Sequence, residues 1–270
     1  MLGTWKHDFS CWWRMARAQA RSQMQYRVNF VAMIISMVMT YGGQFINLFW
    51  LTQRFREVGG WRLEEIVLLY SLAILAWGFA VSFFFSLHGF EDQVRNGTFD
   101  RALLRPMNPL FHVLGSQSPI GGMGQFAFSI AAFIFAFRAT GLSLTPVKLI
   151  YLVLTACGGG LILGAALILV ATLAFWTTRT YTFYWSIVFP ARQLINYPVS
   201  IYHRSLQIVL TFAVPFAFIN YFPAHVLLER TGQLSVPLTA WATPLVGLMV
   251  IACVYRFWEW GSRYYTGTGS

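Results

Sequence analysis

The chain has 270 residues and a formal net charge of +10, with 57% hydrophobic, 18% aromatic and only 10% charged side chains, where an average soluble domain carries about 25% charged residues. This composition excludes a water-soluble globular protein and points to an all-α polytopic membrane protein with short loops, a single transmembrane domain over residues 1–270. The basic residues are scattered among apolar runs and form no patch with interleaved aromatics, so nucleic acid is excluded as a partner and a positive-inside bias accounts for the charge.

Soluble-site chemistry is also missing from the sequence. No G-x-x-x-x-G-K-S/T run occurs, and the glycine clusters at Gly121 to Gly124 and Gly158 to Gly160 lack the Lys and hydroxyl that phosphate binding requires. ATP, if used, is bound by another chain. Cys11, Cys157 and Cys253 are far apart, and His88, His112, His203 and His225 have no carboxylate or cysteine at ligand spacing, so neither a metal nor acid-base chemistry is expected.

The chain opens on residues 1–27, where Trp5, Phe9, Trp12, Trp13, Ala16, Ala20 and Met24 recur at helical spacing beside a stripe of Arg14, Arg17 and Arg21. That pattern predicts an interfacial helix with its aromatics in lipid and its arginines at the phosphates. A cleaved signal peptide is the alternative, and the lack of a continuous apolar core before residue 28 argues against it.

Span one is expected over Val28 to Trp50 and span two over Glu65 to His88, each long enough for a hydrocarbon layer of about 30 Å. Within span one, Ser36, Thr40, Gln44 and Asn47 share a helix face. Such a stripe either faces a cargo path or bonds helices together.

A polar loop follows, residues 89–118. Its centre, Phe90 to Leu110, carries Glu91, Asp92, Arg95, Asp100, Arg101 and Arg105. Gly97 can end a helix, Asp100 can cap a new turn, Arg105-Pro106 forces an extended step, and Asn108-Pro109 can start another helix. Leu103, Leu104, Leu110 and Phe111 are large apolar side chains beside arginines, and they call for a protein surface to cover them.

Span three is expected over Ile120 to Phe137, a turn with Gly141 and Pro146 over Arg138 to Lys148, and span four over Leu149 to Trp176, where Gly158, Gly159, Gly160 and Gly164 permit close packing. Two apolar stretches then hold a proline each, Tyr181 to Val199 with Pro190 and Ser205 to Phe222 with Pro215, and if both cross, the total is seven spans. Arg192, Gln193 and Asn196 lie near the outer end of the first stretch. The last span is expected over Pro237 to Trp258. Basic residues favour the side of the N-terminus, which places both termini and the polar loop inside.

The run RNGTFDRALLRPMNPL, Arg95 to Leu110, is similar to the first cytoplasmic loop of the type-2 permeases of bacterial ATP-binding-cassette (ABC) exporters. The segment Trp185 to Leu228, with YPVSIY and PFAFINYFPA, resembles a later stretch of the same family, and so does the ending from Tyr264 to Ser270. The resemblance implies six transmembrane helices, with residues 200–236 forming a re-entrant outer element between helices 5 and 6. It also implies a partner: an ABC ATPase in two copies that carries ATP and Mg, docked on Asp100, Arg101, Leu103, Leu104, Arg105, Pro106, Asn108, Pro109 and Leu110. A second permease chain, same or related, and the lipids of the bacterial inner membrane complete the assembly.

In such an exporter Thr40, Gln44, Asn47, Arg192 and Asn196 are the expected substrate pathway, and an aromatic-rich lining suits an amphipathic drug, an organic cation or a lipid equally. An ion-gradient-driven secondary transporter is the alternative. It predicts ionisable residues at mid-membrane for coupling, and no Asp or Glu lies within spans one, three, four or five.

Overall fold

A computed structural model describes residues 7, 10–15, 17, 18, 27–54, 57–116, 120–143, 145–177, 179–234 and 237–266. Among these residues every regular element is a helix, and a single isolated bridge joins Val58 to Trp61. The five longest are α1 (Arg27–Arg54), α2 (Leu63–Phe84), α3 (Ile120–Ala139), α4 (Pro146–Thr172) and α5 (Thr243–Ser262).

The α2 helix is the central post. Its N-terminus is fixed by the Glu65 carboxylate, which accepts from the Arg62 backbone N–H at 2.9 Å, and Glu64 and Glu65 complement the helix dipole in the first turn. Apolar residues then occupy nearly every position, so it is buried on all faces, between α3 and α4. A 3-10 turn at Phe85–Gly89 carries it on into Phe90–Arg95. The resulting run Leu63–Arg95 of 33 residues and the run Pro146–Phe175 of 30 residues are each long and apolar enough to cross a membrane. Thr145 caps α4 by accepting from the Lys148 N–H at 3.3 Å, with Pro146 opening the helix, and Gly141 turns the chain before it at φ +68°.

Close approach sets the α4 to α5 contact. A Cβ on Gly158 would lie 2.8 Å from the Thr243 carbonyl oxygen and 2.9 Å from Pro244 Cα, and Gly247 faces the Gly158 backbone in turn. These glycines let two backbones touch, as expected of the Gly158 to Gly160 run.

The chain between α4 and α5 is broken where the prolines predict. A helical run from Thr180 to Leu194 widens into a π turn at Tyr184–Val188 just before Pro190, and a second π turn at Val209–Ala213 precedes Pro215. Proline supplies no N–H to continue the α-ladder, so the turn before it is free to widen. Fifteen helical residues reach only about 22 Å, short of a hydrocarbon layer. The helices Arg204–Ala213 and Phe216–Leu227 meet at 79° and make one further crossing only if counted as a pair.

Two buried clusters sit at opposite ends of α2. One gathers Phe84, Phe90, Phe99, Val113, Ile168 and Trp258 at the loop end. The other gathers Trp61, Ile66, Leu69, Phe137, Tyr151 and Leu227 at the far end. Of the expected N-terminal helix most residues lie outside those described; residues 10–15 are helical, and Trp12 is buried against Phe83 with ring centres 5.6 Å apart.

Candidate functional site

The loop from Phe90 to Leu110 is folded onto the chain's own aromatic core. Phe90 and Phe99 are fully buried, with ring centres 5.1 Å apart, and Phe90 lies 4.9 Å from Trp258 of α5. Phe175 at the end of α4 and Tyr265 beyond α5 close the cluster, at 5.1 Å from Trp258 and 5.1 Å from Phe99 respectively. Aromatic pairs of this kind contribute about 0.5–1.5 kcal/mol each beyond the area they bury. Read as a sequence, Phe90 and Phe99 were flanks of a polar stretch; their nine-residue separation across a Gly97 turn was the available signal.

Polar ties fix the rest. Glu91 accepts from the Tyr181 N–H at 2.7 Å and from the Thr180 hydroxyl at 3.1 Å, joining the loop to the start of the Thr180–Leu194 run. Gly97 at φ +66° ends the helix Phe90–Arg95, as its position predicts. Asn108 caps the helix Pro109–Ser116 by accepting from the Leu110 N–H at 2.9 Å. Its amide also donates to the Tyr255 hydroxyl of α5 at 2.6 Å.

Asp100 differs from its expected role. The short turn Asp100–Leu103 is entered from Phe99 in helical geometry with no side-chain cap, because burying the Phe99 ring draws that residue into the turn. The Asp100 carboxylate instead lies beside Tyr265, whose hydroxyl is raised to about 12 by burial first and by that carboxylate second. His112, in the next helix, is lowered by burial and by the nearby Arg105 guanidinium.

What remains uncovered is compact. Leu104 is 86% exposed and Leu103 46%, and Arg101, Arg105 and Pro106 are exposed beside them. The Arg101 and Arg105 side chains make no hydrogen bond or ion pair among the described residues, whereas Arg95 pairs with Asp92. Leu110 departs from expectation: at 3% exposure it belongs to the chain's own core, turned inward by the helix that Pro109 starts. Phe111, Asn108 and Pro109 are half-buried. The arrangement is two free guanidinium groups and two exposed leucines on a rigid base, a surface suited to an acidic, partly apolar groove.

The residues expected along a pathway are partly assembled. Thr40 is exposed on α1, and the Asn47 side chain lies outside the described part. Gln44 accepts from the Tyr70 hydroxyl of α2 at 2.6 Å. Arg192 is half-buried, and its guanidinium lies 4.3 Å from the centre of the Trp77 ring of α2. Asn196 donates to Gln193 at 2.5 Å.

At the far end a cavity of about 660 Å³ is lined by Glu57, Arg62, Glu65, Thr140 and Arg230. Arg230 pairs with the buried Glu65 at 2.6 Å, and Lys148 with Glu229 at 2.6 Å. These pairs join segments remote in sequence and no spacing announces them.

No curated protein and no solved structure matches the chain. The profile of the ABC-2 family transporter protein matches residues 38–269. That match takes in the loop, the helices it rests on and the broken segment, and the chain therefore belongs to the ABC-2 transporter family as a membrane permease.

Proposed function

We propose that the chain is the membrane-spanning subunit of an ATP-driven exporter of the bacterial inner membrane. Two permease chains, identical or related, work with two ABC ATPase subunits that hold ATP and Mg. The loop 89–118 is the coupling element, through Asp100, Arg101, Leu103, Leu104, Arg105, Pro106, Asn108 and Pro109, with Leu110 seated in the chain's own core beneath them. Both termini and this loop face the cytoplasm, six segments cross, residues 1–27 lie along the inner interface, and residues 200–236 re-enter from outside. The cargo path runs between the two chains past Thr40, Gln44, Asn47, Arg192 and Asn196.

The observation that carries this reading is the loop itself. Its exposed rim of Arg101, Leu103, Leu104 and Arg105 is bolted to the α2 extension, to α5 through Asn108 and Tyr255, and to the Thr180–Leu194 run through Glu91. Force applied to such a rim is delivered to three membrane elements at once. Purifying the tagged chain from its native membrane and identifying what accompanies it tests the reading. A Walker-motif ATPase is expected; its consistent absence, with transport that follows an ion gradient, would replace the exporter by a secondary transporter.

A further inference from the structure

Arg192 is half-buried on the helical run from Thr180 to Leu194. It lies twelve residues beyond Thr180 in the helical run, about 18 Å from the end held by Glu91. Its guanidinium carbon lies over the Trp77 ring at 4.3 Å and the Phe189 ring at 5.4 Å, with the Tyr70 and Tyr184 hydroxyls within electrostatic reach. The side chain makes no hydrogen bond or ion pair with any described residue, and Nε is buried without a partner. A guanidinium offers five N–H donors, and ring faces satisfy charge but not those donors.

Among the described residues no acid lies in the middle of a long helix, from which a second copy could offer it to Arg192. The eight acids among the described residues lie in loops or within a turn or two of a helix end. The two nearest by element are engaged at opposite ends of α2: Glu65 with Arg230, and Glu91 with Thr180 and Tyr181. An intramembrane ionisable group without a protein counter-ion marks a place where an ion is received.

We propose that Arg192 is the recognition group for an amphipathic cargo with an oxyanion head, a phosphate or a carboxylate, whose apolar body lies along the Trp77 and Phe189 side of the pathway. This rests on the permease reading above and narrows its cargo class. The planar fork binds two oxygens of such a head at once, and stacking on Trp77 holds the fork in register, which a lysine ammonium would not permit.

The test uses the full-length chain in neutral maltoside micelles and three radiolabelled probes: dodecyl phosphate, phosphatidylglycerol, and dodecyltrimethylammonium as the cation. Wild type should bind at least one of the two anions tenfold more tightly than the cation. Arg192→Gln should weaken that anion at least tenfold, leave the cation unchanged, and melt no lower than wild type when empty, since an unpaired charge is removed. Tighter binding of phosphatidylglycerol names a bilayer lipid as the source, tighter binding of dodecyl phosphate a single-chain amphiphile.

Where Arg192→Gln does not fold, Arg192→Met keeps the stem's packing on Trp77 and serves instead. Equal wild-type affinity for anion and cation overturns the proposal, as does anion binding within twofold of wild type in either variant. No ATPase enters the assay. A chain that binds the anions but purifies without an ATPase loses the exporter reading alone, and one that purifies with an ATPase but shows no anion preference loses this inference alone.

Discussion

The side-chain amide of Asn108 donates to the Tyr255 hydroxyl at 2.6 Å while its carbonyl oxygen caps the helix that begins at Pro109. One residue thus starts an element of the loop and ties it to α5. Asn108→Ala loses both bonds and should cost about 2 kcal/mol, the sum of a cap and a neutral hydrogen bond. Tyr255→Phe keeps the cap but loses the hydroxyl's bond with Asn108 and its interaction with Glu259, and should cost about 1–2 kcal/mol. Thermal unfolding in detergent of both singles and the double gives their coupling, and an Asn108→Ala loss unchanged in the Tyr255→Phe background would mean that the bond between them contributes nothing.

Leu104, Arg101 and Arg105 face outward and touch little of their own chain. Arg101→Glu, Arg105→Glu and Leu104→Asp should therefore change stability by no more than about 0.5 kcal/mol. Docked against an ATPase, the same changes place like charge or a bare carboxylate in a partly desolvated contact, at a cost of about 2–5 kcal/mol. Co-purification with the ATPase should fall at least tenfold by that conversion while the melting temperature holds. Full ATPase binding and normal transport in all three variants would remove the loop from the mechanism.

The stops and starts of the loop were legible because they are local: Gly97 takes a positive φ that other residues resist, and Asn108-Pro109 opens a helix by the chemistry of those two residues. What depended on distant segments was not. Asp100 reads as a cap until Phe99 is known to find Phe90 and Tyr265, and Leu110 reads as a docking residue until its helix turns it inward. Arg192 reads as an interfacial residue if the segment after Tyr181 is taken as a full crossing. The helix ends at Leu194, and the Arg192 guanidinium lies over the Trp77 ring of α2.

Glu65 is nearly buried at the start of α2, where Arg230 supplies its counter-ion at 2.6 Å. Arg230→Gln removes the cation and leaves a buried carboxylate, which costs about 3 kcal/mol. Neutralising both partners in Glu65→Gln with Arg230→Gln should recover most of that loss, since a neutral amide can still accept from the Arg62 N–H. Unfolding measured on the two singles and the double gives the coupling. A double variant no better than Arg230→Gln alone would show that the pair contributes packing and no charge compensation.

Gly158 meets the Thr243 carbonyl and Pro244 of α5 at distances no Cβ tolerates, and the neighbouring atoms are backbone. Gly158→Ala should force α4 and α5 apart and cost about 1–3 kcal/mol. Gly42→Ala on α1, where nothing lies within 4 Å, is the control and should stabilise or leave the protein unchanged, because alanine favours a helix by about 1 kcal/mol over glycine. Yield and melting temperature separate the two, and equal behaviour would mean that α5 is free to shift.

Gln44 accepts a hydrogen bond from Tyr70, a ring that is itself buried, yet the glutamine keeps part of its surface open. The residue therefore belongs both to the contact between α1 and α2 and to the proposed cargo path, and single substitutions confound the two. Gln44→Leu strands the Tyr70 hydroxyl and should cost about 1–2 kcal/mol, whereas adding Tyr70→Phe removes the stranded group and returns most of that stability. Transport of several cargos per folded complex is then compared in the double variant and wild type. Cargo preference should stay altered after stability has returned, because a path loses its polar face in either case. Flux and preference that recover together with the melting temperature would leave Gln44 as a link between helices and take it out of the pathway.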